Sequence, residues 1–241
     1  MKKSLVVLLA VVAYLCVTTT CATVLEPETG GFDNDQYIAE LTEKIRLDPN
    51  NAFLYFLRGF AYEDKDDYDK AIEDYTEAIR IDPNDAVLYF FRGYAYKHKD
   101  DYDKAIEDYT EAIRIDPEDV LGYDLRGEAY YCKGDYDQAI ANYTEVIRIT
   151  PENAWVYYLR GEAYYCKGDY DQAIANYTEA IRINPEDALV YYLRGELYYL
   201  KGNYNQAIMD FEVFLRIDTN ITYIQTLEDA RQELRSQKEQ Q

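Results

Sequence analysis

Residues 52–85 read AFLYFLRGFAYEDKDDYDKAIEDYTEAIRIDPND, and the same wording returns in four further stretches of 34 residues. The core of it is Tyr-x-x-Arg-Gly-x-x-Tyr, eight residues, then Ala-x-x-x-Tyr and a closing Pro. Gly59, Gly93, Gly127, Gly161 and Gly195 hold one place. Ala71, Ala105, Ala139, Ala173 and Ala207 hold another, and Pro83, Pro117, Pro151 and Pro185 a third. A repeat of this length specifies a stack of helix pairs, each burying its apolar face against the next. Such a chain is all-α. It offers a long surface rather than one enclosed pocket.

Within each unit two apolar stretches have helical period, for example Leu54, Tyr55, Leu57, Ala61, Tyr62 and then Ala71, Ile72, Tyr75, Ala78, Ile79. Gly59 and Ala71 lack bulk, so two helices can approach closely there. Asn51, Asp85, Asp119, Asn153 and Asp187 stand where the first helix of each unit starts. Asp67, Asp101, Asp135, Asp169 and Asn203 stand before the second. All are N-cap types, whose side chains accept from the helix's first free N–H groups. Each Pro ends a second helix, because the residue before it avoids the α region.

These letters resemble the tetratricopeptide repeat, carried in the first unit by Tyr55, Arg58-Gly59, Tyr62, Ala71, Tyr75, Ala78 and Pro83. The resemblance covers five units over 52–221 and a half unit over 34–51. It implies a right-handed α-solenoid of antiparallel helix pairs. One departure is regular: Arg58, Arg92, Arg126, Arg160 and Arg194 replace the Leu usual in that family. Phe214 and Thr219 depart at the end, in place of Ala and Pro. A charge at an inter-helix place needs a partner. Pairing of Arg58 with Asp74 and Arg92 with Asp108 is expected, with a weaker Arg126–Asn142 counterpart.

The flanks read differently. Lys2-Lys3, the apolar run Leu5 to Val17 and Thr20-Cys21-Ala22 have the form of a cleaved export signal over residues 1–22. The run is short for a membrane span, which needs about 20 residues. The expected destination is periplasmic or extracellular, with lipidation at Cys21 as the alternative form and no span in the mature chain. Residues 23–33 form a linker. Tyr37 to Leu47 reads as a capping helix, and 222–241 as a final helix, with Ile224, Leu227 and Leu234 on its apolar side, and a frayed tail.

Composition excludes several functions. A net charge of −21 repels phosphates, so nucleic acid is not an expected partner. The two serines, Ser4 and Ser236, and the single histidine, His98, leave no serine triad. There is no Gly-rich phosphate loop, and neither a cofactor nor a metal is expected. Asp64, Asp66, Asp67 and Asp69 lack the Gly and Glu of a calcium loop and read as a turn with caps. Asp64, His98, Cys132, Cys166 and Leu200 share one repeat position, which could make a metal or thiol site on an inner wall, though equivalent positions on packed helices lie too far apart for a disulfide. Duplication accounts for the two cysteines, since the third and fourth units are nearly identical. An enzyme using His98 and Cys132 is the remote reading. Asn142, Asn176 and Asn220 match a glycosylation sequon, though the first two fall within expected helices.

The resemblance places the binding surface on the first helices, whose second, fifth, ninth, twelfth and thirteenth positions face a concave groove. Here these offer Phe53, Phe56, Phe60, Phe90 and Tyr94 in front. Behind come Tyr131, Trp155, Tyr158, Tyr165, Tyr192 and Tyr199, interleaved with Glu128, Glu162 and Glu196. Family members that clamp acidic C-termini use Lys, Asn and Arg there, where this chain has Phe56, Phe60 and Phe90. Aromatic rings with acidic rungs suit an apolar, basic peptide through burial and cation–π contact. The expectation is a non-enzymatic scaffold for protein segments. The alternative is an envelope transport or assembly component holding a small apolar molecule.

Overall fold

The structure is a computed structural model that describes residues 34–218, 228–233 and 236. The expected leader, the linker, Cys21, the sequon at Asn220, the residues Ile224, Leu227 and Leu234, and the tail lie outside these. Eleven helices follow one another among the described residues, and no strand occurs there. They are α1 (Asn34–Leu47), α2 (Ala52–Glu63), α3 (Tyr68–Ile81), α4 (Ala86–His98), α5 (Tyr102–Ile115) and α6 (Val120–Lys133). Then come α7 (Tyr136–Ile149), α8 (Ala154–Lys167), α9 (Tyr170–Ile183), α10 (Ala188–Leu200) and α11 (Tyr204–Ile217). Residues 228–233 are helical as well. No described helix is long and apolar enough to cross a membrane. The first helix starts at Asn34, earlier than Tyr37, so the polar Asn-Asp-Gln turn joins it.

Each helix packs on its sequence neighbours, and α2 also touches α4. This is a solenoid built pair by pair. The seam of each pair is a glycine under a ring. A Cβ built on Gly59 would stand 2.8 Å from Tyr75 Cε1, and one on Gly161 would stand 2.6 Å from Tyr177 Cε1. The rings Tyr75, Tyr109, Tyr143, Tyr177 and Phe211 fill that space and are almost wholly buried. The alanine column from Ala71 to Ala207 is sealed from solvent. The core is uneven along the stack. In front, Phe56, Leu88, Phe90 and Phe91 fuse the first units into one cluster. The later units form smaller separate clusters.

The regular arginines pair as expected and do more. Arg58 grips Asp74 with two bonds, Nε to Oδ2 at 2.8 Å and Nη2 to Oδ1 at 2.7 Å. Its Nη1 reaches the other way, to Thr42 Oγ1 of the preceding helix at 3.0 Å. Arg92 and Arg194 repeat this with Asp108 and Thr76, and with Asp210 and Thr178. Arg126 and Arg160 meet Asn142 and Asn176 through one bond each, both at 2.8 Å. Every arginine therefore straps three successive helices. A second ladder joins units on the surface: Lys65–Asp35, Lys99–Asp69, Lys133–Asp103, Lys167–Asp137 and Lys201–Asp171.

Three of the ten expected caps do not form. Asn51, Asp187 and Asn203 make no side-chain bond to their helix. The Asn51 amide instead donates to Asp48. The other seven accept as expected, for example Asp85 from Val87 N–H and Asp135 from Gln138 N–H.

Candidate functional site

The first helices α2, α4, α6, α8 and α10 carry every residue expected in the groove, and burial divides them. Phe56 and Phe90 leave the candidate surface, being 4% and 5% exposed. Phe56 sits edge-on to Phe91 at 5.0 Å, and Phe90 packs where Gly122 leaves room. Both rings belong to the buried cluster that joins the first units, where Phe56 also lies 6.1 Å from Tyr75. Phe60 is half-buried against Phe91. Phe53 is open and stacks on Phe56 at 6.2 Å. Tyr94 is half-buried and leans on His98 at 4.3 Å, and His98 also stacks on Tyr68.

The back half is more open. Trp155 is 57% exposed, with Tyr158 beside it at 4.9 Å. Tyr158 lies in turn over Tyr177. Tyr192 rests on Phe211 and Phe214. Tyr131, Tyr165 and Tyr199 each lie against a tyrosine of the following helix: Tyr136 at 5.6 Å, Tyr170 at 5.8 Å and Tyr204 at 5.3 Å.

The three glutamates do not stand free between these rings. Glu128 is paired with Lys97 at 2.8 Å. Glu162 accepts from the hydroxyl of Tyr177, and Glu196 from that of Tyr192 at 2.8 Å. The buried Tyr177 thus passes beneath Gly161 and ends on an acid of the first helix. Glu63 shows the same arrangement in front, accepting from Tyr75 at 2.9 Å. Burial pushes the Glu63 carboxyl up to about 8.

Sequence reasoning passed over Glu63, Tyr109 and Asp124. The Glu63 Oε1, Tyr109 Oη and Asp124 Oδ1 atoms are buried without a hydrogen-bond partner, the only such side-chain atoms among the described residues. Burial, and after it the charge of Glu128, raise Asp124 to about 6, while Lys97 pulls it down. A signal for Asp124 existed. It is the one acid in a column that otherwise reads Phe56, Phe90, Tyr158 and Tyr192.

The side chains of His98, Cys132 and Cys166 do not converge into a ligand set. No group of three or more ligating side chains occurs among the described residues. Cys132 and Cys166 are free and exposed, and Cys166 Sγ lies 3.3 Å from Tyr131 Oη. The acidic turn is occupied by its own contacts. Asp66 accepts from Tyr68, Asp67 caps α3, and Asp69 pairs with Lys99. Asn142 and Asn176 are 4% exposed and use their amides on Gln138 O and Gln172 O, which leaves no handle for a sugar.

Comparison with known proteins agrees with this architecture. Residues 52–85 and 86–119 match the family described as tetratricopeptide repeat, as does 188–220, and 127–168 and 161–202 match that described as TPR repeat. No curated protein sequence matches. Among solved structures, YrrB, described as a TPR protein with an unusual peptide-binding site, superposes with a TM-score of 0.65 at 17% identity. The match covers 78% of this chain and 97% of that one. MamA gives 0.65 at 26% identity, over 69% and 91%. The C-terminal part of a TPR repeat-containing protein from Cytophaga hutchinsonii gives 0.72 at 20%, over 82% and 80%. The sequence matches, the helix pairs and these shared folds establish that the chain belongs to the tetratricopeptide repeat family.

Proposed function

We propose that this protein is an exported scaffold that holds apolar, basic protein segments along its first helices. The observation that carries the reading is the ring row from Trp155 to Tyr199, open at Trp155 and Tyr165 and half-buried at Tyr158, Tyr192 and Tyr199, with an acid one helical turn before Tyr165 and before Tyr199. Buried aromatic anchors supply affinity, and acids steer a basic partner to them. The family context supports it, since YrrB is described as having a peptide-binding site. The surplus of acidic residues over basic ones supports the choice of a basic partner. The basic start, apolar run and Thr20-x-Ala22 support export. N-terminal sequencing of the protein from its source should find a start after Ala22. A retained Met1 would remove export from the reading.

Trp155 is the only tryptophan of the chain, so its fluorescence is a built-in reporter. Titration with a library of apolar, basic peptides should shift its emission to the blue for those that bind. Changing Glu128, Glu162 and Glu196 to Gln should slow association more than it speeds dissociation, and raised salt should weaken binding, because exposed charges are screened beyond about 8 Å. Peptides that bind without moving the emission, and equally well to the Gln variant, would place the site elsewhere.

A further inference from the structure

Asp124 interrupts the ring column of the first helices. In three other units the ring at this place lies against the ring beneath the glycine: Phe56 at 6.1 Å from Tyr75, Tyr158 at 6.4 Å from Tyr177 and Tyr192 at 5.9 Å from Phe211. In the third unit the place falls to a short carboxylate, which fills less of that space. Burial, and after it the charge of Asp124, hold the hydroxyl of Tyr143 above its usual range, so the acid stands close to that buried ring.

The acids here are one cation short. Lys97 crosses from α4 and bonds Glu128 at 2.8 Å. Asp124 feels burial first, then Glu128 and the same lysine, so two acids share one positive charge. With its carboxyl at about 6, Asp124 is still largely ionised at neutral pH. Its Oδ1 is buried without a hydrogen-bond partner, yet the residue as a whole is only half-buried and can be approached from solvent. A second orphan atom belongs to the same neighbourhood. Tyr109 is fully buried, its hydroxyl has no partner, and after burial Glu128 is the first charge to act on it. Buried charges and polar atoms left alone cost free energy, which a bound cation with several N–H donors offsets.

No group of three or more ligating side chains occurs among the described residues, so the place suits an organic cation rather than a metal ion. A guanidinium fits it best. It is flat, like the rings that occupy the equivalent place in other units. It offers two parallel N–H groups to one carboxylate and keeps further donors for a hydroxyl. It is also more weakly hydrated than an ammonium, so it enters a half-buried place at lower cost. The chain already uses this pairing: Arg58 grips Asp74 with two bonds and lies over the ring of Tyr55. One unit on, Trp155 and Tyr158 stand together at 4.9 Å, a resting place for an apolar neighbour of the arginine. We propose that Asp124 receives an arginine side chain of the bound segment, with an aromatic or apolar residue beside it lying on Trp155 and Tyr158. This rests on the reading of the first helices as the binding face, and adds the residue that anchors the basic part.

The test uses three acetylated, amidated peptides against the full chain: Gly-Phe-Arg-Phe-Gly and its copies with lysine or citrulline at the centre. Citrulline keeps the flat shape and loses the charge. Affinity is read by calorimetry for the native chain, for Asp124→Asn and for Glu111→Gln, the latter an acid on α5 paired with Arg114. The arginine peptide should bind the native chain at least about tenfold more tightly than the citrulline peptide, and more tightly than the lysine peptide. Asp124→Asn should abolish that preference. Its unfolding midpoint should stay at or above the native one, because the change removes an unpaired charge. Glu111→Gln should keep the preference. A preference that survives Asp124→Asn overturns Asp124 as the site. Equal binding of the lysine peptide overturns the choice of a guanidinium. Binding of none of the three overturns the proposal. Ligands then found by the Trp155 titration, with no preference for arginine, would leave the binding face standing without this anchor. If that titration finds none either, the broader reading falls with it.

Discussion

Asp108 and Asn142 occupy the same place beneath their arginines, and the difference between them shows how one charge is balanced. Arg58 is held above its usual range by its bond to Asp74. Arg126 and Arg160, facing Asn, are drawn down by burial. The fold accepts both because Thr110 and Thr144 supply a second acceptor from the helix before. The pairing was legible in the sequence, since a charge at an apolar position demands a partner and an acid stood on the facing helix. The threonine contact was not, because it depends on the neighbouring unit's approach. Glu63 was missed for a similar reason: an acid in a list of acids reveals its burial only once the neighbouring helix is packed against it. That burial has a measurable consequence. Its folded carboxyl lies at about 8, against 4.5 when unperturbed. Between those values folding takes up a proton, so stability falls as pH rises, by about 1.4 kcal/mol per unit. Asp124 is raised only to about 6, and burial draws His98 below 6.5, which acts the opposite way near that value, so the window from about pH 7 to 8 belongs chiefly to Glu63. Thermal unfolding across it should show a falling midpoint in the native chain and a flatter, higher one in Glu63→Gln. Parallel curves would show that Glu63 is ionised in the folded protein.

At the scale of the element, the glycine seam and the proposed binding face are linked. The ring that needs the glycine ends in a hydroxyl that holds an acid of that proposed face, as in Tyr177 and Glu162. Helix number, helix type and the seam were all legible, because Gly and Ala recur at fixed offsets from the rings. The turns were less so. Gly134 and Gly168 end α6 and α8 with φ of 84° and 85°, while Asp66 and Asp100 take the same left-handed place with φ of 58°. Aspartate tolerates that region through its short polar side chain, and each accepts from a tyrosine two residues on. Gly161→Ala tests the seam. Its added methyl meets Tyr177, an overpacking that costs about 1–3 kcal/mol, only partly offset by the ~0.5–1 kcal/mol that Ala gains over Gly in a helix. A lower unfolding midpoint is expected, with weaker peptide binding where the fold persists, because Glu162 loses its tether. An Ala variant as stable as the native chain would mean that the helices can part at no cost.

Over the whole molecule, the core is distributed unequally. The front units share one fused aromatic core, and the back units hold smaller clusters with the open rings. The same residue type thus serves two ends. Phe56 and Phe90 looked like groove residues because repeat position alone does not tell a side chain that faces the groove from one that drops between units. Trp155, Tyr165 and Tyr170 remain exposed where the neighbouring units leave them uncovered. Their exposure, not their position in the repeat, marks the back half as the candidate surface. The central claim is that partners bind along the first helices. Hydrogen exchange of the full chain, with and without a peptide selected by the Trp155 titration, tests it most directly. The account expects slowed exchange in α6, α8 and α10, with α7 and α9 unchanged beyond their first turns. Protection confined to α3, α5, α7 and α9 would put the partner on the opposite face and contradict it.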